Sequence, residues 1–216
     1  MFNYRQSAGK INSIAYLFGV YLGDGNVSRG DNYDVDFRLN TIDYDFAQAV
    51  QDALFNVIGR IGKIYTYPVK KSTKPNNYIR LGCKDFCDYL EAETLKKEKL
   101  PDFIWKASKK TRKEFIAGLM DSEGYICKDK RSNFFEIGFK TTSEWTKDVN
   151  RLLQLLGCET SLKECKPYKS WYKKCYRIRI KPQSFIKSNL YFKIQRKQDR
   201  VNILRDYTLY GIRPMI

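Results

Sequence analysis

The chain predicts an α+β protein made of two pseudo-symmetric halves, each running α-β-β-α-β-β-α. Three observations carry that prediction. A nine-residue segment near the start returns ninety-nine positions later, from 17 to 116. Each copy is followed by residues that alternate apolar and polar, the period of a half-buried strand. Each strand region is followed by a stretch of helical spacing that opens on a capping residue and closes on glycine.

The elements follow in order. Leu17-Phe18-Gly19-Val20-Tyr21-Leu22-Gly23-Asp24-Gly25 aligns with Ile116-Ala117-Gly118-Leu119-Met120-Asp121-Ser122-Glu123-Gly124, small residue on small residue and acid on acid. Val35, Phe37 and Leu39 then alternate with Asp36, Arg38 and Asn40, as Phe135, Ile137 and Phe139 do with Glu136, Gly138 and Lys140. Asp43 caps a helix carrying Phe46, Ala47, Val50, Ala53, Leu54, Val57 and Ile58 and ending at Gly59. Its counterpart starts at Ser143, carries Trp145, Val149, Leu152, Leu153 and Leu156, and ends at Gly157. Ile79-Arg80-Leu81 is echoed by Ile178-Arg179-Ile180. Asp85-Phe86 is echoed by Ser184-Phe185, each pair opening a further helix. A linker near residues 96–108, broken by Pro101, separates two repeats at 1–100 and 101–216, and Thr111-Arg112-Lys113-Glu114 reads as a capping box.

Composition narrows the chemistry. Forty Lys and Arg against 24 Asp and Glu give a formal charge of +16 in 216 residues, which calls for a polyanionic partner. The chain has no histidine, so histidine bases, Ser-His-Asp or Cys-His arrangements and His-containing zinc sites are excluded. Its six cysteines, at 83, 87, 127, 158, 165 and 175, contain no CxxC pair and read as reduced thiols. Residues 1–10 lack an apolar signal core, and no apolar run reaches the ~18 residues of a membrane span. The expectation is an intracellular protein, of an organelle (mitochondrion or chloroplast) or of a prokaryotic cytoplasm.

The repeated motif has a geometry of its own. Gly19 and Gly23, like Gly118 and Ser122, lie four apart and share a helix face. Two helices bearing such stripes can pack backbone to backbone about a pseudo-two-fold axis, which would bring Asp24 and Glu123 together. Carboxylates crowded at helix C-termini are unfavourable unless cations join them. Hard divalent ions with oxygen ligands, magnesium above all, suit the place, and carboxylate-held metal beside phosphate cleaves phosphodiesters.

These two segments resemble the paired motifs of the LAGLIDADG homing endonucleases in their single-chain form, and the resemblance spans about residues 12–200. It implies antiparallel sheets forming a DNA-binding saddle, with the motif helices packed at the central interface. It also implies a monomer that cuts a long specific site in double-stranded DNA with Mg2+ and leaves short 3′ overhangs. The motif's eighth-position acids are Asp24 and Glu123, and the resemblance implies that the preceding Gly23 and Ser122 would lend backbone carbonyls to the metals. The sixth position, which serves helix structure in the family, is Leu22 in one copy and Asp121 in the other. An auxiliary lysine is expected among Lys97, Lys99, Lys193 and Lys197. The attacking species is water, so no protein nucleophile is needed.

The strands support the saddle. Tyr176-Arg177-Ile178-Arg179-Ile180-Lys181 puts apolar residues on one face and basic ones on the other, and Ile79, Leu81 and Cys83 oppose Tyr78, Arg80 and Lys84 in the same way. The candidate DNA contacts are Arg38, Asn40, Arg80, Lys84, Lys140, Arg177, Arg179 and Lys181, with hairpin loops at 29–33, 69–77, 128–133 and 166–174 reaching along the duplex. Two other readings stay open on the same scaffold: a maturase for intron RNA and a DNA-binding protein without catalysis.

Overall fold

The structure, a computed structural model, describes residues 7–30, 35–69, 73–128, 135–165 and 174–210. It is α+β. By internal contacts the chain forms two compact units, Met1–Ser122 and Glu123–Ile216.

The first unit opens with helix α1 (Ala8–Leu22), followed by strands β1 (Asn26–Arg29) and β2 (Val35–Thr41), helix α2 (Tyr44–Ile58), strands β3 (Lys63–Tyr67) and β4 (Asn76–Gly82), and helix α3 (Lys84–Thr94). A 3-10 turn at Asp102–Trp105 leads into α4 (Lys109–Glu123), whose last residue is the first of the second unit. The second unit continues with β5 (Gly124–Lys128), β6 (Phe135–Thr141), α5 (Thr146–Leu155), β7 (Thr160–Cys165), β8 (Cys175–Ile180), α6 (Pro182–Lys187) and α7 (Gln195–Tyr210). The two sheets share one topology: four antiparallel strands ordered β1-β2-β4-β3 and β5-β6-β8-β7.

Alternation decides which face is core. Phe37, Leu39, Ile79 and Leu81 are buried on one side of the first sheet, and Ile137, Phe139, Ile178 and Ile180 on one side of the second. Helix α1 is apolar almost all round, and its residues from Ile14 to Leu22 are buried throughout, the fate expected of a helix with no polar face. Phe18 meets Tyr89 of α3 and Phe103 of the 3-10 turn edge-on, both with ring centroids 5.4 Å apart. In the second unit Val149, Leu152 and Leu153 make the buried stripe of α5, and Val201 and Leu204 that of α7.

The punctuation differs from expectation in several places. Gly59 and Gly157 do close α2 and α5 in the left-handed region, at φ 77° and 93°. Asp43 stands at the start of α2 in an extended conformation, but its side chain makes no capping hydrogen bond. Helix α5 begins at Thr146 rather than Ser143, which forms the preceding turn and accepts from the Thr146 amide at 3.2 Å. The cap of α4 is Ser108, not Thr111: the Thr111 amide donates to Ser108 Oγ at 3.1 Å. Helices α3 and α6 open at Lys84 and Pro182, slightly ahead of Asp85 and Ser184. The 3-10 turn and α7 are additions to the seven-element plan.

Candidate active site and nucleic-acid interface

Within the first unit, α1 and α4 touch through their backbones. A Cβ added to Gly19 would lie 2.2 Å from Phe115 O and 2.7 Å from Leu119 N, and one added to Gly118 would lie 2.1 Å from Tyr16 O. No side chain fits at either position. Thr111 Oγ1 donates to Asn12 Oδ1 at 2.8 Å near the helix starts. Asn12 with Thr111 and Gly19 with Gly118 keep the spacing of the sequence repeat, so the two helices run parallel with each motif facing its own copy. Ser122 turns its hydroxyl back to Gly118 O at 3.1 Å. Asp121 is buried and accepts from the Tyr16 hydroxyl at 2.9 Å, tying α4 to α1, while its counterpart Leu22 is buried as an apolar residue.

The turn after α1 carries Asp24, which is exposed. Gly23 caps the helix, its amide bonded to Gly19 O at 3.3 Å, and the Gly25 amide reaches Val20 O at 2.8 Å. A Cβ on Gly25 would press on Tyr21 Cα at 2.9 Å and Phe37 Cζ at 3.0 Å, so the tight turn requires glycine there. Lys97 grips this turn from outside: its ammonium donates to Gly23 O at 3.0 Å and Gly25 O at 2.6 Å, and lies 5.0 Å from the centre of the Tyr21 ring. Burial, then Glu91, pushes the Tyr21 phenol up to about 12, so it stays neutral beneath that ammonium.

Lys97 ends a run of three left-handed residues, Leu95, Lys96 and Lys97, at φ 47°, 53° and 76°. Such backbone costs about 1–3 kcal/mol per non-glycine residue. It is held by buried Thr94, whose carbonyl takes the amides of Glu98 (2.9 Å) and Lys99 (3.0 Å) and whose hydroxyl takes that of Lys97 (3.3 Å). Of the four candidate lysines, Lys97 binds the first motif turn. Lys99 pairs instead with Asp102 at 2.8 Å. Lys197 is buried in the first turn of α7, 5.5 Å from the centre of the Phe192 ring, and Lys193 is half-buried. In the second motif Glu123 is half-buried and ends α4, which passes directly into β5 at Gly124.

Oxygen donors suit a hard divalent ion. The turn offers the Asp24 carboxylate between two carbonyls at a helix C-terminus, and those carbonyls already bind a cationic group, Lys97. Among the described residues no three Asp, Glu, Cys or His side chains gather into a metal cage.

The outward faces of the sheets are polar. In the first, cross-strand register sets Asn26, Arg38, Arg80 and Lys63 in one row and Asn40, Tyr78 and Tyr65 in the next. Asn40 Oδ1 accepts from Tyr67 (3.2 Å) and Asn76 (3.3 Å). In the second, the matching rows are Tyr125, Gly138, Arg179 and Ser161, then Lys140, Arg177 and Lys163. The buried Nε atoms of Arg38 and Arg177 have no hydrogen-bond partner among the described residues. Lys84 is not on this face, because β4 ends at Gly82 and Lys84 opens α3, paired with Asp88. Lys181 lies one residue beyond β8, paired with Glu159 at 2.8 Å. Of the expected hairpin loops, residues 31–34, 70–72, 129–134 and 166–173 lie outside the described residues. No helix among the described residues is long and apolar enough to cross a membrane.

Comparison with known proteins agrees with this architecture. The LAGLIDADG-like domain family matches residues 12–92 and again 110–200. An uncharacterised protein of Methanocaldococcus jannaschii is 25% identical over 206 residues, covering 88% of this chain and 70% of its own. A probable translation initiation factor IF-2 of the same organism is 26% identical over 205 residues, covering 91% of this chain but only 16% of the factor. Among solved structures, the homing endonuclease I-WcaI bound to its DNA recognition sequence superimposes with a TM-score of 0.59 at 11% identity, over 91% of this chain and 90% of that one. I-DmoI in complex with DNA and Mn gives 0.54 at 19% identity, over 82% and 94%. At such identities the structural likeness is one of fold. The family match stands on its own: in two copies and over most of its length, the chain belongs to the family of LAGLIDADG-like domains.

Proposed function

We propose that the protein is a site-specific endonuclease for double-stranded DNA, working as a monomer on a long target with Mg2+ and leaving short 3′ overhangs. The observation that carries this reading is the pair of motif helices: they meet on bare backbone at Gly19 and Gly118, and each runs into an acid, Asp24 or Glu123. Each acid stands at a helix C-terminus, where its charge opposes the dipole and a bound cation is favoured.

Asp24 and Glu123 would hold the divalent ions, with the carbonyls of Gly23 and Ser122 as further ligands. Bound there, the ion supplies Lewis-acid activation of the phosphate and of the attacking water. The chain's own residues do the rest. Lys97 holds the carbonyls on either side of Asp24, fixing the direction of its carboxylate, and offers positive charge to a strained phosphate. Thr94 and the left-handed backbone hold Lys97 in turn. Arg38, Asn40, Arg80, Lys140, Arg177 and Arg179 on the outward strand faces orient the duplex, and Lys181 extends the basic margin beyond the end of β8. The charge of +16 supplies long-range attraction.

The test is to incubate the protein with a randomised duplex library in magnesium and sequence the cut ends. The wild type should release ends from one family of sites. Asp24→Asn and Glu123→Gln should each lose double-strand cutting and keep DNA binding. Cutting by the double variant would refute the catalytic assignment. Binding without cutting by the wild type would leave the non-catalytic reading, and binding confined to intron RNA would leave the maturase reading.

A further inference from the structure

A surface that meets a polyanion gains nothing in affinity from an acid, yet each sheet carries one at the same place. Asp36 of β2 is buried, and its Oδ2 accepts from Arg38 Nη2 at 2.9 Å and Arg80 Nε at 2.7 Å. Glu136 of β6 accepts from Arg179 Nε at 3.2 Å and from the Tyr125 hydroxyl. The placement is the same in both sheets. The acid lies two residues before Arg38 or Gly138, whose cross-strand partners are Arg80 and Arg179. Around this feature the outward residues differ freely: Arg38 against Gly138, Asn40 against Lys140, Tyr78 against Arg177.

Geometry explains what the acid does. An arginine held by Nε has its guanidinium plane fixed, and its two Nη groups point away as a fork. That fork matches O6 and N7 of guanine in the major groove. Arg80 and Arg179 are half-exposed, with side chains 46% and 53% accessible, while the Asp36 side chain is only 5% accessible. In the first sheet the acid therefore sits behind its arginine, and in the second Glu136, 34% accessible, holds Arg179 from the side of its Nε. In the first sheet Arg38 shares the same oxygen with one Nη group. In the second, Gly138 leaves that space to Tyr125, whose hydroxyl lies 3.1 Å from where a Cβ on Gly138 would stand.

We propose that Asp36 and Glu136 are positioning residues, which hold Arg80 and Arg179 edge-on so that each arginine reads one guanine in the target duplex. This rests on the DNA-binding reading above and adds to it the base that each sheet selects. Direct arginine–guanine pairs discriminate by about 1–3 kcal/mol, or about 5- to 150-fold. Each acid gives up some attraction to phosphate in exchange for that discrimination.

The test is binding without cutting: selection of bound duplexes from a randomised library in the presence of a chelator, read by sequencing, with melting temperatures measured alongside. The wild type should enrich a guanine at one position in each half of the site. Asp36→Asn should flatten the first preference by about tenfold. Arg80→Lys, which keeps charge but loses the fork, should flatten the same position. Glu136→Gln and Arg179→Lys should act on the second position alone. Affinity of both acid variants for unselected DNA should rise, since a negative charge is gone. Acid variants that keep the guanine preference, or that lose affinity for every sequence together with melting temperature, would overturn the proposal. So would a flattened position that differs between acid and arginine variants. A wild type that enriches no sequence at all would instead overturn the reading on which the proposal rests.

Discussion

The two sheets share strand order, register and a clamped arginine, yet the row beside the clamp differs in chemistry. In the first sheet it is Asn40, Tyr78 and Tyr65, extended by Asn76 and Tyr67 through hydrogen bonds. In the second it is Lys140, Arg177 and Lys163. The backbones make equal offers and the side chains use them differently. Amides and phenols present directional donors and acceptors with little charge, which suits reading of base edges. Lysines and arginines present charge that a phosphate accepts from many directions. The difference teaches that duplication preserved what fixes the fold, the helix contact and the inner faces, and released what faces outward. On the proposed function, this row discriminates in the first half and holds in the second.

The largest expected effect tests whether the lysine on the first motif turn takes part in cleavage. Lys97→Met should slow cleavage about a hundredfold, the range for loss of one preorganised charged donor, while leaving binding nearly unchanged. Lys99→Met, which removes only an exposed pair with Asp102, should cut at close to the wild-type rate. Single-turnover rates at saturating protein would measure both. If the two lysines prove equivalent, the grip of Lys97 on the Gly23–Gly25 turn has no catalytic meaning.

The next effect concerns what duplication preserved. Gly19→Ala and Gly118→Ala each force a Cβ into partner backbone, at 2.2 and 2.1 Å, and should cost about 3 kcal/mol. For a chain of this size that lowers the midpoint of thermal unfolding by about 6–12 °C. Gly59→Ala meets nothing within 4 Å and pays only for its left-handed φ of 77°, about 1 kcal/mol. Equal shifts for the three variants would show that the helix contact relaxes easily and is not the fixed element of the two halves.

Much of this was legible in the sequence, because it depends on short periods. The strands and helices around Phe37, Phe139, Val50 and Leu152 follow from alternation and helical spacing, and the echo of Gly19 in Gly118 identified the helix contact. The clamps were not legible, since Asp36 reaches Arg80 only through a cross-strand register that no local pattern specifies. Lys97 could not be told from Lys99, because a left-handed run without glycine has no compositional mark. Ser108 and Thr111 are both plausible caps three residues before a polar partner, and only the hydrogen bond at Ser108 separates them. Lys84 looked like a continuation of the β4 alternation, whereas the chain turns at Cys83 into α3. Helix α7 is polar along most of its length and gave the pattern little to grip.

A smaller effect separates the two rows directly. Replacing Lys140, Lys163 and Arg177 together with glutamine should reduce the slope of log affinity against log salt by up to about 3, near 0.9 for each lost phosphate contact. Asn40→Ala should leave that slope unchanged and relax base preference where the first sheet reads. Titrations of binding between low and physiological salt would measure both slopes. A slope carried equally by the two rows would erase the division between a reading row and a holding row.

The smallest effect belongs to one chemical difference between the clamps, Tyr125 in the second sheet where the first has Asn26. Burial tends to raise the Glu136 carboxyl, but the Tyr125 hydroxyl bond and the charge and bond of Arg179 outweigh it and hold the group below its ordinary value. Burial and the bond to Glu136 push Tyr125 up to about 12. The two groups act at opposite ends of the pH scale. A carboxyl lowered on folding stabilises the protein above its unfolded value of about 4.5, and that contribution disappears as pH falls through the lower folded value. A phenol raised on folding contributes below about 10 and loses its contribution as pH climbs from there to about 12. Glu136→Gln should therefore melt lower than the wild type at neutral pH by about 2 °C, in keeping with a partly exposed pair, and the gap should close under acid. Tyr125→Phe should flatten the alkaline decline. Melting curves from pH 3 to 11 would show it, and a gap for Glu136→Gln that widens in acid would reverse the sign and remove the carboxylate from the clamp.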